Sequence, residues 1–99
     1  MAWALFLVPS EKRAELDAAL KDDTVSRQSQ TVRDAAAAGG PAGALYVLIE
    51  GADGAVAHAR SLLGPLAKPI EAADAEALYR KFKADEENAS AGMGLFFTE

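Results

Sequence analysis

The chain has 99 residues and a mass of 10.3 kDa, enough for one small domain, and carries 15 acidic against 10 basic residues for a net charge of −5. That balance opposes non-specific nucleic-acid binding, and the absence of cysteine excludes a disulfide framework, a thiolate nucleophile and a thiolate zinc site. Hydrophobic residues make up 51% of the chain, but 23 of them are alanine and only 22 are Leu, Ile, Val or Phe, so the core comes in small units suited to close helix-on-sheet approach.

Ala2 to Val8 is a continuous apolar run of strand length. Both alternation sets are apolar, Trp3, Leu5 and Leu7 against Ala4, Phe6 and Val8, which predicts a central strand covered on both faces. The run is too short to span a membrane, lacks a basic start, and meets Pro9 and Ser10 instead of a small-residue cleavage site. The expectation is a cytoplasmic domain with no membrane contact. Ser10 as a cap, Glu11 in the first turn, Lys21 in the last, and the Leu16–Leu20 pair predict a helix over about residues 10–22, with Asp22, Asp23 and Thr24 as its exit.

Thr24 to Ala36 reads as a second strand. Val25, Arg27, Ser29, Thr31 and Arg33 fall on one side of it, and Ser26, Gln28, Gln30, Val32 and Asp34 on the other. A strand this polar belongs at a sheet edge. Ala35 to Ala44, with Gly39, Gly40, Pro41 and Gly43, is turn material and the candidate flexible loop. Leu45 to Glu50 is a second doubly apolar strand, Leu45, Val47 and Ile49 against Tyr46 and Leu48, ended by Gly51. Asp53 is the expected N-cap of a helix whose buried face is Val56, Ala59 and Leu63 and which stops at Gly64-Pro65. Pro65 to Ile70 has room for a short strand between its prolines. A third helix is expected from about Ala72 to Asn88 on Ala75, Leu78 and Phe82, followed past Gly92 and Gly94 by Leu95, Phe96 and Phe97 as a final strand or docking tail.

This order, β-α-β-β-α-β plus a helix and an apolar tail, predicts a single α+β domain over residues 1–99 of the ferredoxin-like, split βαβ type with an antiparallel sheet. That topology transfers no function. Two helices of such a unit cover only one sheet face. The other face is to be covered by the C-terminal extension or by a second copy stacked sheet to sheet, and the expected partner is therefore another copy of the chain in a homodimer.

The leading functional expectation is a non-catalytic binding or regulatory module for a small anionic ligand, held at Arg27, Ser29, Thr31, Arg33 and Asp34 on the polar second strand. The alternative from another class is a small dimeric α+β barrel-type enzyme that uses His58, the only histidine, or Asp34 as acid or base. A third is a protein-interaction adaptor. A deep pocket holding His58 beside a carboxylate distinguishes the enzyme; a shallow polar edge distinguishes binding. Gly51 to Gly54 lacks the spacing of a dinucleotide loop and reads as a turn. Asp85, Glu86 and Glu87 lack the spacing of a metal site, and neither metal nor cofactor is expected.

Overall fold

The computed structural model describes residues 2–97, and side chains through Asp85. Three strands, β1 (Ala2–Pro9), β2 (Ser29–Asp34) and β3 (Ala44–Gly51), form one antiparallel sheet in the order β1-β3-β2. Four helices accompany it: α1 (Arg13–Leu20), α2 (Asp23–Ser26), α3 (Asp53–Leu63) and α4 (Ala72–Phe97). The fold is α+β.

The alternation of the two apolar strands is realised on both faces. Ala4, Phe6 and Val8 join Leu45, Val47 and Ile49 beneath Leu16 of α1, Val25 of α2, and Val56, Ala59 and Leu63 of α3. On the opposite face Leu48 and Tyr46, flanked by Trp3, Leu5 and Leu7, pack under Leu78, Tyr79 and Phe82 of α4. Each large side chain taken fully out of water contributes about 1.5–3 kcal/mol, so two thin clusters on one sheet hold the domain together.

Several expectations are corrected by local chemistry. Thr24 to Arg27 is not strand, because the Asp22 carboxylate accepts from the Thr24 and Val25 amides and starts the single turn of α2. β2 therefore begins only at Ser29, after Arg27. Ser10 caps no helix: its amide still bonds the Gly43 carbonyl, and the chain enters α1 through a 3₁₀ turn at Ser10–Lys12. Asp53 is the first residue of α3 and not its cap, which is Ala52. α4 continues to Phe97, so Leu95, Phe96 and Phe97 lie on helical backbone and form no terminal strand, while Thr98 and Glu99 lie outside the described residues. Glycine in a helix costs only about 1 kcal/mol relative to alanine, too little to stop it at Gly92 and Gly94.

β1 is an edge strand and not a central one; the centre is β3. The segment between the prolines makes a single antiparallel bridge, Lys68 to Leu7, and leaves the strand at Pro69. The expected four-strand split βαβ arrangement is met only in part: three strands form the sheet among the described residues, and the segment after α3 adds a single bridge. On the second face α4, part of the C-terminal extension, supplies cover through Leu78, Tyr79 and Phe82.

Candidate functional site

The five residues singled out on the second strand divide three ways. Ser29, Thr31 and Arg33 face α4, opposite Glu50, Leu48 and Tyr46 of β3. Asp34 points to the other side at the strand end, where its carboxylate accepts from the Ala37 amide at 3.2 Å. Arg27 sits at the C-terminus of α2, where its guanidinium meets Asp23 at 3.2 Å in a pair that is 73% and 85% exposed. Arg27 and Arg33 are at opposite ends of β2 and do not converge. Arg33 bonds Asp85 of α4 at 2.8 Å and lies 4.6 Å above the Phe82 ring, so one guanidinium ties the strand to the helix by charge and by its flat face.

Beside Arg33 lies a small cavity of about 280 Å³ lined by Arg33, Asp34, Ala37, Ala38, Lys81 and Asp85. A larger cleft of about 480 Å³ adjoins it and shares Ala38 and Lys81. Leu7, Tyr46, Ile70 and Leu78 give this cleft an apolar lining, and Glu71, Asp74 and Lys81 give it charge. Asp74, Leu78 and Lys81 share the cleft because their i, i+4, i+7 spacing places them on one face of α4. Lys81 stands where the two cavities meet. Its ammonium donates to the Ala38 carbonyl at 3.0 Å and has no carboxylate within ion-pair distance among the described residues.

The alanine- and glycine-rich turn makes that approach possible. A 3₁₀ turn at Ala36–Ala38 ends on Gly39, whose φ of 86° is left-handed and favours glycine. A Cβ at Gly40 would collide with the Tyr46 ring, with Cε2 only 2.9 Å away. Small residues thus let the turn lie against Tyr46 and bring the Ala38 carbonyl to Lys81.

At the far end of β3, Glu50 is the buried charge that sequence reasoning passed over, with 4% of its surface exposed. Its carboxylate accepts from the Tyr79 hydroxyl at 3.1 Å and the Lys83 ammonium at 3.4 Å. Trp3 stacks on Tyr79 with ring centres 4.3 Å apart. A carboxylate in such a place is tolerated because donors from α4 replace its water. Glu50 continues the Tyr46–Leu48 alternation, and Tyr79 and Lys83 are one helical turn apart; these were the available signals. Through these two bonds Glu50 ties β3 to α4.

His58 does have a carboxylate partner. Its Nε2 lies 3.0 Å from Asp22 Oδ2, the same oxygen that caps α2. The pair links α3 to α2 at the surface, with the His58 and Asp22 side chains 43% and 30% exposed. Partial loss of hydration pulls the Asp22 pKa upward, but the amides of Val25 and Thr24 and the His58 imidazole outweigh it and hold the carboxyl below its usual value. A folded-state pKa below the unfolded one, about 3.9, stabilises fully above that value and is lost as pH falls through the folded pKa. Asp22→Asn is therefore expected to lower the urea midpoint near neutrality, with the gap to wild type closing as pH falls below about 4. A gap that stays constant from neutral to acid would show that the Asp22 charge contributes nothing.

Among the described residues, no group of His, Asp or Glu is arranged to hold a metal ion, and no helix is long and apolar enough to cross a membrane. No family model matches the chain, and no curated protein or solved structure shows significant similarity to it.

Proposed function

We propose that the protein is a non-catalytic binding module, acting as a homodimer, that holds a small ligand with one anionic group and an apolar body in the cleft between α4 and the sheet. The observation that carries this reading is Lys81, a cation without a carboxylate partner among the described residues, at the junction of two cavities with an apolar lining beside it. The anionic group engages Lys81, and the apolar body lies against Tyr46, Leu7, Ile70 and Leu78. Glu71 and Asp74 repel a second negative charge and accept a positive one, so the ligand is a monoanion or a zwitterion and not a polyphosphate. Of the strand residues, Arg33 and Asp34 belong to the adjoining cavity, Ser29 and Thr31 extend the same sheet face, and Arg27 stands apart. In this reading the fold is a ferredoxin-like unit whose fourth strand position is open.

The test is calorimetric titration with phenylacetate, hexanoate, phenylalanine and inorganic phosphate. Saturable binding of the organic acids or the amino acid, with phosphate weaker, is the expected result. A hydrogen bond to a charged group is worth about 1.5–3 kcal/mol, so Lys81→Ala should weaken binding by about tenfold or more while leaving the fold intact. Equal binding by wild type and Lys81→Ala would place the ligand outside the cleft, and no binding by wild type would reject the ligand and favour an interaction adaptor.

A further inference from the structure

The two edges of the sheet differ in chemistry. β2 presents Ser29, Gln30, Thr31, Arg33 and Asp34, the polar and charged pattern that discourages pairing with another chain. β1 runs from Ala2 to Val8 without a charge. The Ser10 amide bonds Gly43, and the ladder alternates from there, so Ala2, Ala4, Phe6 and Val8 turn their backbone groups toward β3 while Trp3, Leu5 and Leu7 turn theirs outward. Two contacts agree with that assignment: the Lys68 amide donates to the Leu7 carbonyl at 2.7 Å, and Arg60 donates to the Trp3 carbonyl at 3.4 Å. The Leu5 amide and carbonyl and the Trp3 amide have no partner among the described residues. A groove of about 640 Å³ follows this open span from Ala2 to Phe6, between Arg60 of α3 and Ala72, Ala75 and Glu76 of α4.

We propose that β1 of a second copy fills the groove, antiparallel, with the two-fold axis passing beside Ala4. The open span is symmetric about Ala4, and this pairing sets Trp3 opposite the partner's Leu5, so that each residue both donates and accepts. The occupant must be apolar on both faces, because Ala4 and Phe6 lie on one side of the seam and Trp3 and Leu5 on the other. β1 itself has that character. Arg60 gives up the Trp3 carbonyl when the strands pair. The joined sheet then reads β2-β3-β1-β1-β3-β2, with a polar β2 at each end, which closes the assembly at two copies.

This inference rests on the homodimer in the reading above and is independent of the ligand cleft. Sedimentation and amide hydrogen exchange, each at micromolar and millimolar concentration, test it. The expected result is a dimer mass that rises with concentration and a Leu5 amide that becomes protected in step with it. Leu5→Pro, which removes an outward donor and leaves the β1–β3 ladder, should sediment as a monomer, and Arg60→Ala should tighten the dimer several-fold. Should Leu5→Pro fail to fold, the wild-type Leu5 amide still decides. A dimer whose Leu5 amide exchanges equally fast at both concentrations would overturn the edge pairing and leave the dimer to another surface. A monomer at millimolar concentration would overturn the homodimer as well, while the calorimetric result at Lys81 would stand unaffected.

Discussion

Phe82→Ala is expected to destabilise the protein by about 3–5 kcal/mol, the range for removing a fully buried aromatic ring. Phe82 has no exposed surface. It meets the edge of the Tyr46 ring at 6.1 Å between centres and carries the Arg33 guanidinium on its face. Removing it leaves a cavity between α4 and the sheet and withdraws the flat surface that holds Arg33 beside Asp85. A loss of this size is a large fraction of the 5–15 kcal/mol, in round terms about 10, that stabilises a typical domain. Urea unfolding followed by circular dichroism and by Trp3 fluorescence measures it, since Trp3 stacks on Tyr79 of the same helix. An unchanged midpoint would mean that α4 does not pack on the sheet.

Leu48→Ala should cost about 2–5 kcal/mol. Leu48 is fully buried at the middle of the central strand, in the same cluster as Phe82. Because the two share that cluster, the double variant should depart from additivity by about 0.5–3 kcal/mol. Leu5→Ala should cost less than Leu48→Ala, since Leu5 is only half-buried at the sheet edge. Equal losses at both positions, measured at a concentration where the protein is monomeric, would show that β1 is covered on its outer side by the chain itself.

What the sequence made legible follows from period and length. β1 and β3 were readable as strands because both alternation sets are apolar over Ala2 to Val8 and Leu45 to Ile49, though that pattern wrongly placed β1 at the centre, and α3 because Val56, Ala59 and Leu63 recur on one face. The start of β2 was not, because β-branched Thr24 and Val25 favour a strand locally while the Asp22 carboxylate, through the amides it accepts, makes a helical turn there. Arg27 left the candidate site for that reason. That the segment after α3 makes a single bridge also escaped notice, since a proline-flanked apolar segment has the composition of a strand whether it pairs once or several times. Lys81 and Glu50 have no local signature: a lysine on a helix and a glutamate at a strand end become a cleft cation and a buried clasp only when α4 lies across the sheet. The His58 partner was equally hidden, 36 residues away in sequence.

The cleft reading is tested most directly by amide chemical-shift mapping of the wild-type protein during titration with phenylacetate. The expected shifts fall on Gly39, Tyr46, Leu78 and Lys81, which line the larger cleft, Lys81 at its junction with the smaller cavity. They should saturate, and Lys81→Ala should need about tenfold more ligand or higher still to reach the same shifts. Shifts clustered instead around His58 and Asp22, or an unresponsive cleft across the whole titration, would contradict a ligand site between α4 and the sheet.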